Sequence, residues 1–131
     1  MKKIGLSLFA ALFSLSFAAS ASHAGDVDAG ASYVKKKCTM CHSFGDKFNK
    51  GGKVGPSLEG GIMDKKAGQI EGFKYSSGMS KAGEEGLVWD DATMEKYLTK
   101  PKDVVPKTKM AFPGIKSAED LANVIAFLKT L

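Results

Sequence analysis

The five residues Cys38-Thr39-Met40-Cys41-His42 constrain this chain more than any other part of its sequence. The two cysteines are the only ones in the chain, and a histidine directly follows the second. Two thiols with this spacing on one helical turn can each bond covalently to a vinyl group of the same porphyrin. His42 then lies under the iron as its proximal ligand. The motif therefore predicts one haem c that is attached through Cys38 and Cys41 and bound by His42.

The N-terminal segment has the three parts of a secretory signal peptide. A cationic start at residues 1–3 is followed by an uncharged, mostly apolar run at 4–19, then by small residues up to Ala24. The apolar run is shorter than the roughly twenty residues that a membrane span needs. We expect cleavage after Ala24, so that residues 1–24 are removed. Cleavage after Ala21 and an uncleaved anchor are the alternatives.

Cleavage leaves residues 25–131 as a single exported domain, which we expect in the periplasm. His42 is then its only histidine. A zinc site would have Cys38, Cys41 and His42 as ligands and no further cysteine or histidine for the fourth position. A thioredoxin-like redox pair needs a strand before the motif, but residues 29–37 have a helical pattern. Haem attachment is therefore the favoured interpretation.

The composition narrows the functional classes further. The chain has 131 residues, of which 44% are hydrophobic and 25% charged, as is normal for one folded domain. Its 19 basic residues are all lysines, so it lacks the planar guanidinium that suits phosphate recognition. These values disfavour a multidomain enzyme, a coiled coil and a nucleic-acid-binding protein.

The sixth position of the iron cannot be filled by a second histidine, so the methionines are the candidates. Met40 is held between the two thioether positions and cannot cross the ring. Met94 lies on a helical apolar stripe and is expected in the core. Met63 and Met79 lie in Gly- and Ser-rich segments that are read as loops, with no neighbour that would fix them.

Met110 lies in a different setting, in a Pro-punctuated segment at residues 105–114 between two predicted helices. Proline restricts the backbone of this segment before any ligand binds. A stiff segment late in the chain can fold over the haem face opposite His42. The spacing favours Met110 as the sixth ligand, and an ordinary loop methionine packed on the core is the alternative.

Helix signals mark three segments. Asp28 is expected to cap a helix that runs to about His42. Asp90 or Asp91 is expected to cap a second helix, which Pro101 ends. The third helix starts with a capping box, and its apolar stripe contains Leu121, Val124, Ile125 and Leu128. Its cap is Ser117, with Asp120 as the acidic partner. The Gly-rich residues between the first two helices show little periodicity, which fits a macrocycle that replaces part of the protein core.

These features resemble class I c-type cytochromes, of the bacterial cytochrome c2 type and close to mitochondrial cytochrome c. The matching pieces cover nearly all of residues 25–131: Cys-Thr-Met-Cys-His at 38–42, Gly-Pro-Ser-Leu at 55–58, Gly-Phe-Lys-Tyr at 72–75, Trp89, Tyr-Leu-Thr-Lys-Pro-Lys at 97–102, Thr-Lys-Met-Ala-Phe at 108–112 and Ile-Ala-Phe-Leu at 125–128. The resemblance implies an all-α cytochrome c fold. Its N- and C-terminal helices cross, and together with a short central helix they surround one covalently bound haem.

The resemblance also implies roles for individual residues. Met110 resembles the distal ligand, and Pro56 resembles the residue whose carbonyl accepts a hydrogen bond from His42 and fixes its tautomer. The remaining haem-environment residues are Tyr75 and Trp89 as donors to a propionate, Tyr97 and Thr108 as polar groups near the methionine ligand, and Phe112 beside the exposed haem edge.

Two residues depart from the family pattern. The family has an arginine near the inner propionate, and the nearest counterpart here is Lys65. Lys107 stands where a glycine often follows the proline of the methionine segment, so the turn there is expected to differ. Short insertions after His42 and after Tyr75 favour a bacterial subtype.

A haem with both axial positions filled changes iron valence with little movement of its ligands, which suits electron transfer. We therefore expect a soluble mobile electron carrier and not an enzyme, working through a six-coordinate His42/Met110 haem. A haem enzyme or gas-binding haem protein with an open distal site is the alternative, although it commonly needs a distal histidine or arginine.

The lysines indicate the kind of partner. Those that precede the first cysteine or flank the methionine segment are Lys35, Lys36, Lys37, Lys100, Lys102, Lys107, Lys109 and Lys116. Around a haem edge they would steer the protein toward acidic docking faces of redox proteins. Such proteins include a quinol-oxidising complex, a reaction centre, a terminal oxidase and a periplasmic dehydrogenase. We expect a monomer that binds no nucleic acid and is not inserted in the membrane after cleavage.

Overall fold

The computed structural model describes residues 24–48 and 51–131. The predicted signal peptide lies outside this part of the chain, except for Ala24. The described residues form five α-helices and one 3-10 turn and contain no strand: α1 Val27–Lys37, the 3-10 turn Gly45–Lys47, α2 Ser77–Glu84, α3 Asp91–Thr99, α4 Pro101–Val104 and α5 Ala118–Leu128. The predicted all-α class is confirmed.

Helices α1 and α5 pack closely against each other, as the resemblance implied. Their backbones approach at Gly30, where a side chain would overlap the carbonyl oxygen of Asn123. Beside this point Val34 and Val124 are almost completely buried. The buried side chain of Asn123 also accepts a hydrogen bond of 2.7 Å from the backbone N–H of Asp26, which ties the start of α1 to α5. The chain segment before the cysteines is therefore held on the C-terminal helix.

The ends of α1 differ from the prediction. Asp26, and not Asp28, caps the helix by accepting a hydrogen bond from the N–H of Ala29. The helix ends at Lys37 and does not continue to His42, because the chain turns at Cys38. The two errors have separate causes. Asp26 and Asp28 have equal capping chemistry, and the pattern of the motif cannot separate a helix from the turn that follows it.

The middle of the chain contains a helix that the sequence pattern did not reveal. Helix α2 begins after Ser76, whose buried hydroxyl accepts a hydrogen bond from the N–H of Met79 at 3.1 Å. The helix has only eight residues, two of them glycines, and its apolar side chains are limited to Met79 and Ala82, so its signal in the sequence is short. The prediction that Met79 lies in a loop is therefore wrong, because Met79 is buried on this helix.

The other helix boundaries agree with the prediction. Asp90 caps α3, which ends at Thr99 before Pro101. Pro101 also occupies the first position of α4, where its missing N–H costs nothing. Ser117 caps α5 through a 3.1 Å hydrogen bond from the N–H of Asp120. Of the helices in the described ranges, none is long and apolar enough to cross a bilayer.

Candidate functional site

The two cysteines and the histidine lie on one compact turn at residues 38–42, which we call the attachment turn. The carbonyl oxygen of Cys38 accepts hydrogen bonds from the N–H groups of Cys41 (3.1 Å) and His42 (2.9 Å). A further bond joins the N–H of Cys38 to the carbonyl of Val34 at 2.8 Å. The backbone therefore holds the two thiols and the imidazole on a single turn that continues from α1.

No disulfide joins Cys38 and Cys41. Burial, with a smaller contribution from Cys41, raises the pKa of the Cys38 thiol to about 11. Met40 between them is strongly exposed, at 74% of its surface. Two half-buried thiols three positions apart on one turn, with no disulfide between them, suit a pair of thioether bonds to one porphyrin.

His42 is held in one orientation by the segment that follows the turn. Its Nδ1 lies 2.8 Å from the carbonyl oxygen of Pro56. Because a carbonyl can only accept, Nδ1 carries the proton and Nε2 has a free lone pair. A Cβ on Gly55 would lie 2.5 Å from the Cε1 atom of His42, so only glycine lets the chain pass this close to the ring.

The protonation of His42 agrees with this tautomer. Burial lowers the pKa of His42, and the hydrogen bond to Pro56 opposes this effect to a smaller extent. The imidazole is therefore neutral near pH 7, which is the form that binds a metal ion. Nε2 has no protein partner among the described residues. The donor set of the attachment turn, with two thiols and a neutral imidazole, fits a covalently bound haem.

Met110 lies on an extended segment at residues 105–115, which we call the Met loop. Val105 anchors its start in the core with 1% of its surface exposed, and its carbonyl accepts from the N–H of Thr108 at 2.9 Å. At the other end, the N–H of Ile115 donates to the carbonyl of Leu98 at 2.8 Å. Both ends of the loop are therefore attached to buried structure, and its middle carries the half-buried Met110.

Side-chain hydrogen bonds fix the middle of the Met loop. The Thr108 hydroxyl lies 2.9 Å from the hydroxyl of Tyr97 and accepts a hydrogen bond of 3.2 Å from the N–H of Met110. Tyr97 is buried on α3, and this burial raises its pKa, so it remains a neutral phenol. A rigid helix therefore positions the backbone of Met110 through one threonine.

Aromatic residues pack against Tyr97 or lie in the segment before α2. The rings of Trp89 and Tyr97 are 4.7 Å apart, and those of Phe73 and Tyr75 are 4.9 Å apart in an edge-on arrangement. Burial raises the pKa of Tyr75, and a backbone hydrogen bond at Ile70 lowers it to a smaller extent. The indole N–H of Trp89 has no hydrogen-bond partner in the described part of the chain.

The structure thus arranges the predicted site residues in two groups. Pro56 and His42 belong to the attachment turn, whereas Tyr97, Thr108 and Met110 form the second group. Phe112 is half-buried against the core, and no side-chain hydrogen bond or ring contact joins it to either group within the described residues. No hydrogen bond between described residues links the two groups to each other.

The other four methionines of the described residues lie in the core, against it or at the surface. Met94 is buried in the core with 4% of its surface exposed, as its helical stripe predicted. Met63 is half-buried and packs on the core, and Met79 lies on α2. Met40 is exposed next to the cysteines.

Lys65, the nearest counterpart of the family arginine, contacts backbone. Its ammonium donates to the carbonyl oxygens of Gly60 and Gly61, the latter at 2.9 Å. The backbone N–H of Trp89 donates to the carbonyl of Lys65 at 2.9 Å. Lys65 therefore closes the loop that leads to Trp89.

The comparisons with known proteins agree with this arrangement. A family model described as cytochrome c matches residues 27–131. The cytochrome c2 of Rhodomicrobium vannielii is 45% identical over 130 residues, covering 99% of this chain and 97% of that protein. The cytochrome c2 of Rhodoblastus acidophilus is 47% identical over 105 residues, which is 80% of this chain and 92% of that one.

Eukaryotic proteins and solved structures are also similar. The cytochrome c of Gibberella zeae is 39% identical over 105 residues, covering 80% of this chain and 93% of that protein. The solved structure of cytochrome cH from Methylobacterium extorquens superposes with a TM-score of 0.69 at 40% identity, covering 82% of this chain and all of that one.

The fold, the attachment turn and these relatives define a c-type cytochrome. The chain belongs to the cytochrome c family, with similarity to both bacterial cytochrome c2 and eukaryotic cytochrome c. It is a haem-containing electron carrier with one covalently attached haem c, and Cys38 and Cys41 are consistent with that attachment.

Proposed function

We propose that His42 and Met110 are the axial ligands of the haem iron and that the protein is a mobile carrier of single electrons. The observation that carries this proposal is the chain of contacts from Tyr97 through Thr108 to the backbone of Met110. The N–H of Met79 also donates to a side-chain hydroxyl, that of Ser76. Among the described residues, however, only Thr108 links such a methionine to another element, through Tyr97 on α3. A loop methionine that only packs on the core would not need such a link.

The residues around His42 and those around Met110 hold the two proposed ligands in different ways. On one side the Pro56 carbonyl holds the proton of His42 at Nδ1, so that Nε2 stays available as a ligand. On the other side Thr108 restrains the backbone of Met110 and thus limits the movement of its sulfur. The haem supplies the one-electron iron couple, and a thioether ligand favours its ferrous state. A coordination shell that is held in both oxidation states lowers the reorganisation that electron transfer requires.

Replacing Met110 tests the ligand assignment. Met110→Ala removes the sulfur, so the ferric holo-protein is expected to lose its near-infrared sulfur-to-iron charge-transfer band. The midpoint potential should fall, and carbon monoxide should bind readily to the reduced protein. Met63→Ala is the matched control, because Met63 is a half-buried loop methionine, and it should retain the band. A Met110→Ala protein with an unchanged band would reject the assignment and favour an open-site haem protein.

The N-terminal sequence supports export to the periplasm. The similarity to the R. vannielii protein extends over 99% of this chain and so includes this segment. We propose that cleavage after Ala24 produces a mature protein that starts at Gly25. Mass spectrometry of the protein from a periplasmic extract tests this, since a retained N-terminal segment or an exclusively cytoplasmic location would contradict it.

The distribution of lysines supports partners with acidic docking faces. Lys35, Lys36 and Lys37 form the exposed last turn of α1 next to Cys38, and they make no salt bridge with a described residue. Lys109 is exposed beside Met110. We propose that these charges steer docking to a membrane-bound or periplasmic redox partner such as a quinol-oxidising complex, reaction centre, terminal oxidase or dehydrogenase.

Salt dependence of the reaction with an isolated terminal oxidase tests this steering. The second-order rate constant should fall by about tenfold or more as salt screens the lysines. The triple variant Lys35→Gln/Lys36→Gln/Lys37→Gln should react more slowly at low salt and show a smaller salt effect. A rate constant that is independent of salt would contradict the proposed docking.

A further inference from the structure

Helix α2 runs directly against the Met loop, and the contact is made at a glycine. A Cβ atom on Gly78 would lie 2.7 Å from the Cβ of Lys107, 3.1 Å from its Cα and 3.2 Å from its carbonyl carbon. Carbon atoms in good contact are about 3.5–4.0 Å apart. The missing side chain of Gly78 therefore leaves the space that the first carbon of the Lys107 side chain occupies.

Lys107 is one of the two residues that depart from the family pattern. Its backbone does not need a glycine, because Asp64 is the only non-glycine residue with a positive φ among those described. The Lys107 side chain is exposed, and the part of it that meets a facing element is its Cβ. That element is α2, and the residue opposite is Gly78.

Helix α2 cannot move away from this contact without disturbing other structure. A side chain on Gly83 would overlap the carbonyl oxygen of Ala67, so this end of the helix lies directly on the neighbouring chain segment. The N–H of Ala67 donates to the carbonyl of Leu87 at 2.9 Å, and Met79 is buried. The helix is thus a fixed support on one side of the Met loop.

The residue after Lys107 is Thr108, whose hydroxyl accepts the hydrogen bond from the N–H of Met110. A displacement of Lys107 therefore acts on the backbone of Met110 through Thr108. We propose that Gly78 and Lys107 are a matched pair of positioning residues that sets the place of Met110 at the haem iron. This inference rests on the proposed function, in which Met110 is the axial ligand.

A double-mutant cycle with imidazole as the probe tests the pair. Imidazole competes with Met110 for the ferric iron, so its affinity for the holo-protein reports how firmly Met110 is held. Gly78→Ala should raise this affinity on the order of tenfold, and the near-infrared band should weaken. Lys107→Gly should raise it by less, since it only removes a contact. The double variant should return toward the wild-type value, so that the two effects do not add.

Two controls separate this contact from other effects. Lys107→Ala removes the charge but keeps the Cβ, so it should not rescue Gly78→Ala. Ser80→Ala lies on an exposed position of the same helix and should leave imidazole affinity unchanged. A purely structural effect of alanine would raise helix stability, as Gly→Ala does in helices, and leave both the affinity and the band unaltered.

The outcomes are distinct. Rescue by Lys107→Gly and not by Lys107→Ala supports the pair. Additive effects, or an unchanged imidazole affinity in Gly78→Ala, overturn it. If Gly78→Ala does not fold, a folded double variant with Lys107→Gly supports the pair, and a double variant that also fails to fold overturns it. If Met110→Ala has the same imidazole affinity as the wild type, the ligand assignment itself fails, independently of the pair.

Discussion

The attachment turn and the Met loop carry the two proposed axial ligands, but they are organised by different kinds of interaction. In the attachment turn, one carbonyl at Cys38 accepts from two N–H groups within four residues, and these bonds need no distant partner. In the Met loop, the decisive contacts come from Tyr97 on α3 and from the carbonyl of Leu98. The turn that carries the cysteines is closed by its own backbone, and Pro56 adds the contact that orients His42, whereas Met110 depends on contacts from helix α3.

This difference predicts how the two regions respond to substitution. Changes in the attachment turn should act on whether the holo-protein forms. Single substitutions around the Met loop should each weaken the proposed bond between Met110 and the iron only in part, because several separate contacts hold Met110 in place.

The largest effect is expected when both cysteines are removed. Cys38→Ala/Cys41→Ala deletes both thioether positions, so the secreted protein should contain no covalent haem. A haem-stained denaturing gel together with mass spectrometry measures this directly. Met40→Ala changes the exposed residue between them and should retain full attachment. Covalent haem on the double variant would disprove the role of the attachment turn.

A smaller effect is expected at Gly55. An alanine Cβ would lie 2.5 Å from Cε1 of His42 and would have to displace the ring or the chain. Overpacking of this kind should lower the free energy of unfolding of the holo-protein by about 1–3 kcal/mol, as measured by guanidinium titration. Ser57→Ala, at an exposed position of the same segment, serves as the control. Equal stability of both variants would show that the ring has room to move.

The smallest effect is expected on the Met-loop side, where Tyr97→Phe removes one hydrogen bond to Thr108. The loss should be about 1 kcal/mol of unfolding free energy. The near-infrared band should weaken but persist, since the N–H of Met110 still donates to Thr108. Tyr33→Phe is a matched control on α1, because its hydroxyl has no hydrogen-bond partner within the described residues. If Tyr97→Phe abolished the band, the restraint would depend on this single contact and the contrast between the regions would be wrong.

The same contrast explains how far the sequence could predict the structure. The motif of the attachment turn and the caps at Asp90 and Ser117 are local signals, and the structure contains them where the residues indicate. The resemblance supplied the crossing of α1 and α5, which periodicity alone does not give. The pattern does not predict helix α2 because the helix is short and contains two glycines, so the apolar pair Met79 and Ala82 is too small a signal.

The remaining differences have the same origin. Asp26, and not Asp28, caps α1, and the backbone N–H of Asp26 also donates to the side chain of Asn123 on α5, a contact between distant parts of the chain. The fit between Gly78 and Lys107 joins residues that are distant in the chain. Neither contact can be predicted from a single sequence, because each forms only when elements that are distant in the chain pack against each other.

The coordination of the iron is the central claim, and X-ray absorption at the iron edge of the oxidised holo-protein tests it most directly. The account predicts a six-coordinate iron with one sulfur neighbour, from Met110, and nitrogen neighbours from the porphyrin and His42. A five-coordinate iron, or a six-coordinate iron with no sulfur neighbour, would contradict it.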